Sequence, residues 1–182
     1  MEDRARSACL RCGLTEVSTY SLSNALAHEN ARVDSDGAVV LRNPLSEDYT
    51  LLRTSLLPSL LDVLARNKGR QMRAFEIGRV YFSKGATELA DERRILGFAL
   101  SDCAPRPHWQ KIAAPADFFA LKATLEKVLR EFGAPDLGIY ASQNPSFHPG
   151  RCAALSIGGE EIGVLGEVHP QVAAKWDLKE RV

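Results

Sequence analysis

The chain has 182 residues, 45% of them hydrophobic, with 23 Lys plus Arg set against 23 Asp plus Glu. That is enough apolar material for one large domain or a compact two-lobed unit, and a net formal charge of zero argues against nucleic-acid binding by overall charge, which rests on neutralising many phosphates. No apolar run reaches bilayer length and Met1-Glu2-Asp3-Arg4 is not a secretory signal, so a cytoplasmic protein is expected, with Cys9, Cys12, Cys103 and Cys152 as reduced thiols rather than a disulfide framework.

From the N-terminus, residues 1–12 read as a helix charged on one side and stopped by Gly13. Residues 16–21 alternate as a short strand, with Val17, Thr19 and Tyr20 favouring extended backbone. Ser23 is the expected cap of a short helix from Asn24 to Ala27. Asp34-Ser35-Asp36-Gly37 is turn chemistry, followed by a short strand over 38–41. Asn43-Pro44-Leu45-Ser46 then forms a polar, proline-bent entry to a helix capped by Ser55 and running to about Asn67. Pro58 falls in its first turn, Leu57, Leu60, Leu61 and Leu64 make an apolar stripe, and Gly69 follows its end.

The next stretch, residues 73–82, is apolar on both faces: Phe75, Ile77 and Tyr81 on one, Ala74, Gly78, Val80 and Phe82 on the other. Such a strand belongs inside a covered sheet, and Gly78 leaves a point where a ligand or another backbone could approach. Residues 92–100 read as a further strand. Residues 103–115 carry three prolines and read as a loop plugged by Trp109. Asp117 caps a helix carrying Leu121, Leu125, Val128, Leu129 and Phe132, which Gly133 and Pro135 stop. A strand over 137–141 is followed by two alternating strands, 152–157 and 161–168, joined at Gly158-Gly159, a hairpin signal. Pro170 opens a last helix through Trp176. Strands joined in hairpins with helices between the groups predict an α+β fold with a largely antiparallel sheet flanked by helices.

Several motifs could carry chemistry. Cys9-Leu10-Arg11-Cys12 has the spacing of half a zinc site, but no second closely spaced Cys or His pair follows, so buried thiols are expected and no metal. Phe147-His148-Pro149-Gly150-Arg151 offers a His–Arg pair for an anion, or a tight turn in which His148 bonds backbone. Glu167 and His169 could do acid–base work at a strand-to-helix junction. Gly158-Gly159 lies between two strands and is therefore not a phosphate cradle. Arg66, Lys68, Arg70 and Arg73 form one basic cluster, either a solvated loop or a contact for RNA phosphate or an acidic partner.

Asn43 to Ser46, Leu52 to Pro58, Phe75 to Val80, Phe147 to Arg151, Gly163 to Pro170 and Trp176-Asp177-Leu178, taken in order, resemble the core, catalytic-like domain of the bacterial phenylalanyl-tRNA synthetase beta subunit. The resemblance runs through nearly the whole chain and implies one class II synthetase-like domain over residues 1–182, a fragment of a longer beta chain. It also implies that the chemistry is gone. Phe75 to Tyr81 looks like the second class II motif, which in catalytic members leads into Phe-Arg-x-Glu, the arginine gripping phosphates. Here Phe82 stands at the arginine and Lys84 at the glutamate. Gly163 to Val168 resembles the third motif, yet His169-Pro170-Gln171 opens the helix without its arginine.

The resemblance therefore implies a domain with no catalytic, cofactor or metal residues of its own. It would dock on a catalytic alpha subunit that uses ATP and Mg to attach phenylalanine to its tRNA, in a complex of two alpha and two beta chains. Asn43, Pro44, Leu45, Ser46, Leu57, Leu60, Leu61 and Leu64 are the expected docking surface, an apolar patch with few charges at its centre. The alternatives are a stand-alone class II-like ligase holding phosphate through Arg79, Lys84 or Arg151, and an RNA-contacting module working through residues 66–73.

Overall fold

In the computed structural model, residues 1–85, 87–102, 116–133 and 137–182 are described. The first helix, α1 (Glu2–Arg11), carries Glu2 and Asp3 in its first turn and Arg11 in its last, the order the helix dipole favours. Gly13 at φ +77 turns the chain out of it in the left-handed region that glycine enters without strain. Strand β1 follows at Thr15–Glu16, shorter than the predicted 16–21, because Ser18 and Thr19 leave the ladder.

The pair β2 (Leu22–Ser23) and β3 (Leu51–Leu52) encloses helix α2 (Ala25–Ala31). Asn24, not the expected Ser23, caps α2: its side chain accepts from the Ala27 N–H at 2.7 Å, while Ser23 is spent in the β2–β3 ladder. The strand predicted over 38–41 is reduced to a single bridge, Val40 to Leu51.

Helix α3 (Leu57–Arg66) starts one residue later than predicted, with Pro58 in its first turn and the Ser55 hydroxyl accepting from the Leu57 N–H at 3.1 Å. Long strands β4 (Met72–Phe82) and β5 (Asp91–Ser101) pair antiparallel over their full length. Asp117 caps α4 (Phe118–Glu131) as expected, accepting from the Ala120 N–H at 2.8 Å. The predicted loop over 103–115 with Trp109, and the stop at Pro135, lie outside the described residues.

The last third is the sheet β6 (Leu137–Ala141), β7 (Phe147–Ile157) and β8 (Glu160–Val168), then α5 (Pro170–Lys175). Gly158 and Gly159, at φ +62 and +87, make the β7–β8 turn that two positive φ angles in succession require. Strand β7 begins at Phe147 rather than at the expected Cys152, so the stretch read as a turn is extended chain and the turn sits one step earlier.

Among the described residues the ladders are β1-β4-β5, β2-β3 and β6-β7-β8. The architecture is mixed α+β with helices against the sheets, but the first sheet is not antiparallel throughout. β1 runs parallel to β4, Thr15 opposite Ala74 and Glu16 opposite Phe75. The long connection from β1 to β4, which carries α2 and α3, is the crossover that a parallel pair requires.

Strand β4 is central, as its two apolar faces predict. Phe75 and, half-buried, Ile77 pack with Ala8 and Cys9 of α1 and Val128 of α4. Val80 packs on the other face with Leu56 and Leu60. A second core joins Ala31, Leu61, Val168, Val172 and Ala173, tying α2, α3 and α5 together. No helix among the described residues is long and apolar enough to cross a membrane.

Candidate functional site

The question that β4 poses is what fills the space over Gly78. Alternation puts Ala74, Glu76, Gly78 and Val80 on one face, and the carboxylate of Glu76 is buried there among apolar neighbours. A buried carboxylate must be paired or bonded, or it is expelled. Arg53, 2% exposed, is that partner: its Nη2 donates to Glu76 Oε1 at 2.9 Å. Its Nη1 donates to Thr19 Oγ1 at 2.6 Å and its Nε to the Arg79 carbonyl at 2.9 Å. Thr19 closes the ring, its hydroxyl donating to Glu76 Oε2 at 2.7 Å and its N–H to Oε1 at 3.3 Å. These bonds are what draw Thr19 out of the predicted strand.

A methyl at Gly78 would stand 2.5 Å from Arg53 Nη2 and 2.7 Å from Leu56 Cδ2. The glycine is thus a close-approach position, and what approaches is the chain's own guanidinium. An arginine in this position could in principle hold phosphate. Its three nitrogens are instead each bonded within the protein, and its charge is neutralised by Glu76. The buried pair was missed in the sequence, although a signal existed: a glutamate two residues from Gly78, on a strand face otherwise made of Ala74, Gly78 and Val80, demands a cation somewhere.

Residues past Gly78 are likewise occupied. Phe82 lies under the Arg93 guanidinium, 4.7 Å from ring centroid to Cζ. Arg79, at the surface, pairs with Glu92 at 2.6 Å, and Lys84 is exposed beyond the strand. Arg151 lies on β7 in a different sheet and bonds Glu167 at 2.6 Å. The three phosphate-holding candidates are therefore split between sheets, and both arginines already have carboxylate partners.

The two histidine motifs meet at the β7–β8–α5 corner. His148 Nδ1 accepts from the Gly150 N–H and His169 Nδ1 from the Gln171 N–H, each at 3.1 Å. His148 thus bonds backbone, as one of its two readings has it. His169 caps α5, and Glu167 is held by Arg151 instead of facing it. Partial desolvation, then the Arg32 and His148 charges, hold His169 below the usual imidazole range.

The basic cluster also disperses. Lys68 pairs with Asp177 at 2.8 Å and Arg73 donates to Thr124 at 2.7 Å. Arg66 lines a separate cleft of about 430 Å³ with Tyr20, Tyr49, Ser59 and Asp62.

Cys9 is fully buried in the core while Cys12 is half-buried. Burial, then the Cys12 and Glu16 charges, push the Cys9 thiol from 9.0 up to about 11, the opposite of what a thiolate metal ligand needs. The folded pKa lies above the unfolded one, so this stability is present below pH 9.0 and is lost as pH rises towards about 11. The loss is expected to reach roughly 2–3 kcal/mol. Urea midpoints at neutral and strongly alkaline pH check it: wild type should lose more stability than Cys9→Ala over the same interval, and equal losses would refute it.

The expected docking residues fall into two groups. Leu60, Leu61 and Leu64 are 3%, 1% and 1% exposed, buried in the chain's own core, and Leu57 packs at its margin. In the free chain these three leucines of the α3 stripe therefore face the core rather than solvent. Asn43, Pro44, Leu45 and Ser46 are exposed, Leu45 completely.

The family model described as "Phenylalanyl tRNA synthetase beta chain CLM domain" matches residues 1–182. The phenylalanine–tRNA ligase beta subunit of Symbiobacterium thermophilum is 43% identical over 185 residues, covering 98% of this chain and 21% of that protein. That of Gloeobacter violaceus is 36% identical, covering 100% and 22%. The chain thus spans about a fifth of the length of the curated relatives it matches. Among solved structures, pyrrolysyl-tRNA synthetase from Desulfitobacterium hafniense superposes with a TM-score of 0.72 at 18% identity, over 99% of this chain and 62% of that one, a likeness of fold.

Proposed function

The chain belongs to the phenylalanyl-tRNA synthetase beta chain CLM domain family, and from that premise we propose that it is a non-catalytic, class II synthetase-like scaffold of the beta subunit, docking on the alpha subunit. In this reading residues 1–182 are one catalytic-like domain of a longer cytoplasmic beta chain, working in a complex of two alpha and two beta chains. ATP, Mg and the transfer of phenylalanine to tRNA belong to alpha.

One observation carries the reading: the space beside Gly78 is filled by Arg53, whose charge is spent on Glu76. Adenylate formation needs preorganised cations aimed at phosphate oxygens. At the second-motif position this chain has Phe82, already engaged with Arg93, and at the third-motif helix it has His169 and Pro170. A fold that keeps the frame but has converted its pocket to packing acts by shape, as an assembly surface does.

The burial pattern favours one part of the expected docking surface. Leu60, Leu61 and Leu64 are buried and Leu57 is half-buried beside them, so the exposed 43–46 loop, with Leu45 fully in solvent, is the better supported part.

The test is direct. The purified chain is expected to support no ATP–pyrophosphate exchange with phenylalanine, yet to bind purified alpha subunit. Leu45→Asp should weaken that binding by about tenfold or more, since it places a charge in an apolar contact, without moving the thermal midpoint of the free chain. Exchange by this chain alone would overturn the scaffold reading. Unchanged binding by Leu45→Asp would move the interface elsewhere.

A further inference from the structure

Helix α3 has a second face besides its leucine stripe. Ser59, Asp62, Val63 and Arg66 are spaced three and four residues apart and so lie together, one row round from Leu60, Leu61 and Leu64. This face forms one wall of the cleft of about 430 Å³, and the segment 18–22 with Tyr49 forms the rest. The volume falls within the roughly 300–1,000 Å³ of small-molecule sites.

Both walls are fixed before any ligand arrives. Thr19 lines the cleft and is also held by Arg53 and Glu76. On the other wall the Tyr49 N–H donates to the Ser46 carbonyl at 3.1 Å and the Thr50 N–H to the Ser23 carbonyl at 2.8 Å. A site already ordered in the free protein loses little entropy on binding.

Three kinds of side chain are left for a ligand. Tyr20 and Tyr49 meet edge to face, with ring centroids 5.8 Å apart at 74°, and Tyr20 stays 73% exposed. The contact braces both rings and leaves aromatic surface open to a flat partner. Asp62 Oδ1 accepts from Trp176 Nε1 at 2.5 Å, which fixes the carboxylate and leaves its second oxygen as an acceptor. Arg53, Arg79 and Arg151 each spend their charge on a glutamate, whereas no ion pair among the described residues involves Arg66. Its guanidinium is a planar fork of donors suited to phosphate.

We propose that this cleft binds a nucleoside 5′-phosphate unit, with the base on Tyr20, a ribose hydroxyl donating to Asp62 and the phosphate on Arg66. Aromatic surface, hydroxyl acceptor and cationic fork answer the three parts of that unit in one place. An acidic peptide would also meet Arg66, but Asp62 repels it, while a ribose hydroxyl donates to Asp62. A chain of zero net charge suits a site for one phosphate and not for a long tract. The same unit exists as a free nucleotide and as an unpaired residue of single-stranded RNA, and the cleft recognises what the two share. The site needs neither catalysis by this chain nor docking through the 43–46 loop, so it stands or falls apart from the scaffold reading.

The test is titration of this chain with adenosine, adenosine 5′-monophosphate and a single-stranded RNA of about six nucleotides, followed by calorimetry and by amide NMR. The monophosphate is expected to bind saturably and to move the amides of Tyr20, Tyr49, Asp62 and Arg66. Arg66→Ala should weaken the monophosphate by about tenfold or more and leave adenosine unchanged. Tyr20→Ala should weaken both by about tenfold. If Tyr20→Ala lowers the thermal midpoint, Ser59→Phe, which fills the cleft from α3, should remove binding instead. RNA that binds more tightly than the monophosphate, and loses affinity with salt, identifies a strand as the source; RNA that binds no better identifies a free nucleotide. In the complex with alpha, a photoreactive adenine nucleotide should label Tyr20 or Tyr49. Absence of saturable binding by any probe, binding that these variants do not alter, or a cleft left unlabelled in the complex would each overturn the site, the last by assigning the cleft to the contact between subunits.

Discussion

Arg53→Met is expected to cost about 3–5 kcal/mol of folding stability, among the largest effects of any single side-chain replacement in this chain. The native pair is 2% and 3% exposed, so its removal leaves the Glu76 carboxylate in an apolar interior with Thr19 as its remaining bonding partner. The Arg79 carbonyl loses its Nε donor as well. The pair itself need not be worth that much, because desolvating two ions offsets most of their attraction. Adding Glu76→Leu should therefore recover much of the loss, and the double variant should be more stable than Arg53→Met alone. Urea denaturation of both singles and the double gives the coupling. Simply additive losses would mean that Arg53 and Glu76 do not act as a unit, and the account of the Gly78 site would fail.

This pair also marks where sequence reading stopped. Local signals were legible: Asp117 capping α4, Gly158-Gly159 turning a hairpin, and the two apolar faces of β4 all stand in the structure as predicted. Each is decided by residues within one or two turns of chain. Thr19, Arg53 and Glu76 are far apart in sequence, and only the parallel docking of β1 on β4 brings Thr19 to the carboxylate. Similarly, the α3 stripe announces a buried face but not its cover. A leucine stripe suits a docking surface and a core equally, and here β4 and the α2–α5 layer take it. Pro149 suggested a turn, yet it sits near the start of β7, beside the bulge that breaks register between Phe147 and Cys152.

Gly78→Ala is the sharper test of what the space on β4 is for. If a small ligand were meant to enter there, a methyl would shrink the site and barely alter folding. With Arg53 in place, the new Cβ lies 2.5 Å from Nη2, 2.7 Å from Leu56 Cδ2 and 3.0 Å from Glu76 Oε1. A guanidinium at the surface would swing aside at little cost. This one is fixed by bonds to Glu76, Thr19 and the Arg79 carbonyl, so displacement breaks the network or bends β4 away from α3. A loss of about 1–3 kcal/mol is expected for overpacking, and more if the ion pair separates. The same substitution made in an Arg53→Ala background should cost markedly less, because the vacated guanidinium volume accepts the methyl. Thermal and urea unfolding of the four proteins in that cycle read the difference. An equal cost in both backgrounds would place the constraint on Leu56 or the backbone, and the self-filled pocket would lose its main support as the reason this strand serves as scaffold.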